Sequence, residues 1–279
     1  MLSFSSVNLD PSKETAHGVL LLHAFPLSSR MWARQLSMLE KLQVTALAPN
    51  IPGVEGSPEK NGWTFSDYAG SIAELLRVLT IRKVTVVGLS MGGYQAFELW
   101  RAHPESIASL VLCDTRAEQD NEGALANRRD FISAVKANGP GEAIERMLPN
   151  VFAKATYLEQ VSVIDTFKTI VGQQSGTVIA AAMEAIASRI DSVDILPEIS
   201  CPVTFIFGED DKLTPKTLGE SMSSRIPRSR LCLVPGGGHL CNMEQPDIFN
   251  ECLLGHLRDV MPGVGSGLES PDDIEEIRE

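Results

Sequence analysis

Gly88-Leu89-Ser90-Met91-Gly92 has the G-x-S-x-G spacing that can present a serine hydroxyl on a tight turn. A pattern of three fixed common residues in five arises by chance in roughly one chain in ten of this length, so the flanks must decide. The residues VTVVG before the serine read as a strand and GGYQAFELW after it as a helix, with small residues where the turn is tightest. A serine hydroxyl is a poor nucleophile near neutral pH and needs an adjacent base, and histidine titrates in the right range. The chain has five histidines. His103 sits in a His-Pro pair closing a helix, His256 lies in the C-terminal helix and His17 opens a strand, so each has a structural reason to be there. His239 follows the run RLCLVP and the glycines Gly236, Gly237 and Gly238, which free a loop to carry an imidazole over a sheet edge. His23 ends the first strong strand, where its expected task is to hold the neighbouring loop. A carboxylate is needed to fix the tautomer of the base and to stabilise its cation. With the acid placed between serine and histidine in chain order, the segment Gly208 to Pro215 supplies it: Asp211 is the first choice and Asp210 the second.

Those residues need elements to position them. Apolar, β-branched runs at 17–23, 43–48, 83–88, 107–113, 202–207 and 230–235 alternate with segments of helical period at 29–42, 64–80, 91–103, 215–225 and 245–260. Nearly continuous apolar strands suit a parallel sheet buried on both faces. The fold class is therefore α/β, a mostly parallel central sheet flanked by helices. Thr64 and Asp67 have the spacing of a capping box at the start of the second helix. Between Thr115 and about Leu196 the strand signal stops, and helical stretches follow near 122–138, 141–149, 156–172 and 176–190. The division expected is a core of residues 1–115 and 197–261, a helical cap over 116–196 and an acidic, mobile tail over 262–279. The cap's apolar residues Phe131, Ile144, Met147, Leu148, Phe152, Val163, Phe167 and Met183 must pack on something, and the carboxyl edge of the sheet is the available surface. Of these, Met147, Phe152 and Phe167, with Phe25, are the expected substrate contacts.

The 279 residues carry a net charge of −12. Such a field repels nucleic acid and anionic membrane surfaces, so neither is an expected partner. A basic leader and any apolar run of spanning length are not found, which gives a cytoplasmic expectation. The five cysteines, Cys113, Cys201, Cys232, Cys241 and Cys252, form no C-x-x-C pair, and their odd number favours free, buried thiols. No two histidines stand three or four residues apart, and neither metal nor cofactor is expected.

His23-Ala24-Phe25-Pro26, the Gly88 to Gly93 turn, the Gly208 to Pro215 segment and Gly238-His239-Leu240 with Glu244-Gln245-Pro246 together resemble the α/β-hydrolase superfamily, over about residues 17 to 258. Asp114-Thr115-Arg116-Ala117 and Leu196-Pro197-Glu198-Ile199 resemble the branch labelled 3-oxoadipate enol-lactonase-like, near the cofactor-free haloperoxidases and small esterases. The resemblance implies Ser90 as nucleophile, Asp211 as acid, His239 as base and an oxyanion hole from the N–H groups of Met91 and Phe25. Some relatives place the acid where Asp114 stands. A small ester or lactone is the implied substrate. If it bears a carboxylate, Arg116, Arg128 or Arg129 is the cation to meet it. Carbon–carbon, thioester and perhydrolytic chemistry use the same triad, and some proteins of this fold are ligand-binding receptors. Serine at position 90 argues against dehalogenase and epoxide hydrolase chemistry, which require aspartate there. Two departures stand out: Ala24 where glycine is usual, and the loop Pro49-Asn50-Ile51-Pro52-Gly53, without the usual Asp and Arg around a glycine pair.

Overall fold

The computed structural model describes residues 1–265, so the expected tail lies, past residue 265, outside the described residues. Seven strands form one sheet: β1 (Phe4–Val7), β2 (Gly18–Leu22), β3 (Ala46–Pro49), β4 (Val84–Leu89), β5 (Ile107–Cys113), β6 (Val203–Gly208) and β7 (Ser229–Val234). Their order is β1-β3-β2-β4-β5-β6-β7. All neighbours run parallel except β1, which pairs antiparallel with β3. Every residue of β2, β3, β4 and β6 is buried, because helices cover both faces.

Those helices are α1 (Ala33–Lys41), α2 (Phe65–Val78), α3 (Met91–Ala102), α4 (Glu122–Asn138), α5 (Pro140–Val151), α6 (Lys154–Glu159), α7 (Val161–Gly172), α8 (Gly176–Ala187), α9 (Lys216–Ser223), α10 (Cys241–Glu244) and α11 (Pro246–Val260). The capping box is formed: the Thr64 hydroxyl accepts from the Asp67 N–H and the Asp67 carboxylate from the Thr64 N–H. The five helices α4 to α8 stand between β5 and β6 with no strand among them. The single helix expected over 156–172 is two, parted at Gln160, whose φ of −126° and ψ of 56° break the helical path.

Where the sequence suggests five free thiols, Cys232 of β7 and Cys252 of α11 are joined in a disulfide, and Cys113, Cys201 and Cys241 are free and buried. β7 and α11 pack side by side, bringing these Cα atoms to 6.3 Å. A separation of 20 residues across a turn leaves no spacing motif to announce the pair. With it, the cysteine count ceases to speak for a reducing compartment.

A row of polar side chains, buried at Thr85, Ser109, Thr204 and His256, crosses the sheet near the amino ends of its strands. Arg230 Nε donates to Thr204 Oγ1 at 3.0 Å, Thr204 Oγ1 lies 2.8 Å from His256 Nδ1, and His256 Nε2 lies 2.9 Å from Ser109 Oγ. Ser109 Oγ is 2.8 Å from Thr85 Oγ1, which is 2.9 Å from His17 Nε2. This gives His17 and His256 the structural places expected of them. Among the described residues no helix is long and apolar enough to cross a membrane, and no group of three or more His, Cys, Asp or Glu could hold a metal ion.

Candidate active site

Strand β4 runs straight into α3, and Ser90 is the residue between them. Its φ of 56° and ψ of −111° lie in a region that side chains with a Cβ rarely adopt. Two bonds hold it there: Ser90 N–H to the Cys113 carbonyl at 2.9 Å, and the Thr115 hydroxyl to the Ser90 carbonyl at 2.8 Å. The flanking glycines are demanded by space. A Cβ on Gly92 would stand 2.0 Å from the Leu22 carbonyl oxygen, and one on Gly88 would stand 2.3 Å from that of Gly92.

Ser90 Oγ lies 2.8 Å from His239 Nε2, and His239 Nδ1 lies 2.8 Å from Asp211 Oδ2. The other Asp211 oxygen accepts from the N–H groups of Leu213 and Thr214 at 2.7 and 3.1 Å, and the Thr214 hydroxyl donates to Oδ2. Burial alone would raise the Asp211 carboxyl, but the charge and hydrogen bond of His239, with those from Thr214, outweigh it and hold the group below the usual carboxylate range. Asp210, its neighbour, has an exposed side chain. Asp114 is fully buried on another path: Oδ1 accepts from the Gly208 N–H at 2.8 Å and Oδ2 from the Cys241 thiol at 2.9 Å. Burial, reinforced by the Asp211 charge, pushes its pKa well up.

His23 is fully buried. Nδ1 meets the Ala24 carbonyl at 3.0 Å and Nε2 accepts from the Ile51 N–H at 3.3 Å, joining the Phe25 loop to the loop after β3. Desolvation lowers its pKa to about 4, so the ring is neutral. Ala24 is not among the non-glycine residues with positive φ, so the absent glycine leaves no strain. In the departing loop Asn50 takes up a structural load, accepting from the Ser29 N–H at 2.7 Å and donating to Ser3 Oγ at 3.1 Å.

A cavity of about 350 Å³ opens on Ser90 and His239. Phe25 and Met91 line it from the core, with Phe131, Met147, Met183 and Ile186 from α4, α5 and α8. Of the residues expected as contacts, Phe25 and Met147 line this cavity. Phe152 and Phe167 are not in the lining, which corrects that assignment: they are buried, ring against ring at 5.6 Å, in the packing of α5 against α7. Helical period marks an apolar stripe as buried, but it does not say which neighbour buries it.

The lining also carries charge, from Arg116, Arg128, Arg146 and Asp120. Arg129 is not part of it. Asp120 holds both Arg128 and Arg189, and Arg189 lies over the Tyr94 ring at 4.4 Å. Burial opposes that ionisation, yet the two guanidiniums bring the Asp120 pKa down to about 2. Arg146 pairs with Glu142 and Asp130. The Arg116 guanidinium donates to the Leu213 carbonyl at 2.7 Å and has no ion pair among the described residues. Sequence reasoning missed Tyr94, Asp120, Arg146, Leu213 and Thr214. Only Thr214, three residues past Asp211, carried a signal, since a hydroxyl there can cap the acid.

Residues 19–246 match the family model described as alpha/beta hydrolase fold, most of the chain. The chain belongs to the α/β-hydrolase family. A thermophilic esterase from Thermogutta terrifontis is similar at 34% identity and TM-score 0.86, with 93% of each chain covered. The enol-lactonase from Burkholderia xenovorans LB400, at 22% identity and TM-score 0.82, covers 92% of this chain and 96% of its own. A bromoperoxidase from Bacillus anthracis, at 23% identity and TM-score 0.79, covers 92% and 95%. The last two likenesses are of fold alone. Three activities on one backbone mean that the chemistry of this α/β hydrolase has to be argued from its own site.

Proposed function

We propose that this α/β hydrolase is a serine esterase or lactonase acting by acyl transfer, with Ser90 as nucleophile, His239 as base and Asp211 as the acid that orients it. One observation carries the reading: Ser90, His239 and Asp211 stand in a single hydrogen-bonded line whose serine end opens into the cavity. His239 Nε2 takes the hydroxyl proton as Ser90 Oγ attacks the carbonyl carbon, and Asp211 stabilises the imidazolium so formed. The N–H groups of Met91 and Phe25 receive the developing oxyanion. Met91 opens α3, so its N–H has no carbonyl one turn back to serve. Each such donor lowers the barrier by about 3–4 kcal/mol. The proton on His239 passes to the departing alkoxide, and water, deprotonated by the same imidazole, cleaves the acyl-enzyme.

The small, largely apolar cavity supports short acyl groups over peptides. Residues 116–196 act as a cap over a core of 1–115 and 197–261, with Phe131, Met147 and Met183 setting chain-length preference. For a substrate that bears a carboxylate, Arg116 is the one arginine of the cavity lining with no ion pair among the described residues.

The test is a panel of short-chain esters and lactones run on the wild type and on Ser90→Ala. We expect multiple turnovers from the wild type, loss of at least about a thousandfold in Ser90→Ala, and fluorophosphonate labelling of the wild type alone. Ser90→Ala activity within tenfold of wild type would end the nucleophile assignment. A stoichiometric burst without turnover would favour the receptor reading.

A further inference from the structure

Glu244 is buried, five residues past His239, and its carboxylate has four donors. Oε1 accepts from the N–H groups of Gly238 at 2.9 Å and Leu240 at 3.3 Å, the residues on either side of His239. Oε2 accepts from the Ala153 N–H and the Thr156 hydroxyl, both at 2.7 Å. Ala153 and Thr156 belong to the turn between α5 and α6 and to the first turn of α6, far away in sequence. A main-chain bond runs beside them, from the His239 N–H to the carbonyl of Val151, the last residue of α5, at 3.1 Å. The two segments touch so closely that a Cβ on Gly238 would stand 2.4 Å from the Ala153 nitrogen.

This arrangement calls for a carboxylate. All four partners donate, so every lone-pair direction used must be an acceptor. In a glutamine of the same shape, the NH2 group would face two N–H groups on one side or, on the other, the Ala153 N–H beside a hydroxyl that can turn to accept. A buried polar group turned against like partners loses its bonds and leaves theirs unmade.

We propose that Glu244 is a positioning residue that sets the imidazole of His239 and couples it to the seating of the α5–α6 turn, so that displacement of this turn is felt at the base. The inference rests on the assignment of His239 as base. It makes the helical insertion part of the catalytic geometry at this corner, in addition to forming the substrate cavity.

The test uses Glu244→Gln, Thr156→Val and Thr156→Ser in the full chain. Thr156 does not line the cavity, and Thr156→Val removes one bond to the far oxygen of Glu244 while leaving both bonds beside His239 untouched. Active sites are counted with a fluorophosphonate, so that kcat is expressed per competent serine. Glu244→Gln should lower kcat about 10- to 100-fold with KM nearly unchanged, the scale of a small misplacement of a reacting group. Thr156→Val should lower kcat about three- to tenfold, the size of one hydrogen bond, and Thr156→Ser should restore it. Wild-type kcat per site in Thr156→Val, or a loss confined to melting temperature and active fraction, would overturn the coupling. If Glu244→Gln does not fold, the Thr156 pair still decides. The outcomes are separable from failure of the hydrolase reading. An active Ser90→Ala would sink that reading, whereas an inactive Ser90→Ala beside full activity in Glu244→Gln and Thr156→Val would sink only this inference.

Discussion

Asp210 and Asp211 are neighbours of identical chemistry, yet one is buried against His239 and the other faces water. The turn after β6 makes the choice. The Asp211 N–H bonds back to the Gly208 carbonyl at 3.3 Å, and the N–H groups of Leu213 and Thr214 then close on the Asp211 carboxylate. Asp211→Asn should lower kcat by about four orders of magnitude, through the wrong imidazole tautomer. Asp210→Asn should stay within a few fold, and kcat/KM on one activated ester, measured for both, checks the ranking. The reverse order would move the acid to Asp210. Much of this site is legible in the sequence because glycines announce it: Gly88, Gly92 and Gly238 stand where backbone must approach backbone, and Gly236 holds a positive φ. Glu244 and Asp114 are less legible. A buried acid and a solvated one look alike until the donors around them are known, and most of those donors are main-chain groups that no residue letter records.

The elements read well where periodicity is strong. All six apolar runs become strands, and α4 spans Glu122–Asn138, matching the stretch expected over 122–138. β1 escapes notice because FSSV has neither an apolar run nor a clean alternation, and at the sheet edge it does not need one. What periodicity leaves open is the partner of each apolar face, and Phe152 and Phe167 show the consequence. Phe167→Ala should cost about 3–5 kcal/mol of stability in urea unfolding, as for a large ring removed from a packed interior, while leaving the preference among acyl chain lengths unchanged. Met147→Ala, at the cavity wall, should do the opposite, shifting kcat/KM toward longer acyl groups by roughly tenfold for about 1.4 kcal/mol of altered contact. A shift in selectivity from Phe167→Ala and none from Met147→Ala would mean that the wall has been drawn in the wrong place.

On the scale of the whole molecule, two buried histidines tie stability to pH. Desolvation, reinforced by Arg230 and His17 and opposed by Asp259, lowers the pKa of His256 to about 4, and burial does the same to His23. The unfolded chain, with histidines near 6.5, binds more protons between pH 6.5 and 4 than the folded one. Their contribution is therefore complete above about pH 6.5 and is lost as pH falls toward 4, by at most about 3 kcal/mol for each ring. Burial raises the carboxyls of Asp114 and Glu244, which work in the opposite sense, so the variant must isolate one group. Unfolding free energy of His256→Gln should be lower than wild type at pH 7, with a pH slope between 6.5 and 4 shallower by about one proton; equal slopes would show that His256 titrates alike in both states. The row to which His256 belongs has, moreover, two senses. An arginine has protons to give and no lone pair to take one, so Thr204 receives from Arg230 in both. A hydroxyl oxygen can accept twice and give once, which leaves the rest of the line free to turn. In one sense Thr204 gives to His256 Nδ1, His256 Nε2–H to Ser109, Ser109 to Thr85 and Thr85 to a bare Nε2 on His17; in the other, His17 Nε2–H gives to Thr85, Thr85 to Ser109, Ser109 to a bare His256 Nε2, and His256 Nδ1–H to Thr204. The sheet holds there a two-way relay, in which throwing the line from one sense to the other exchanges the tautomers of two imidazoles, the farther one four strands from the guanidinium.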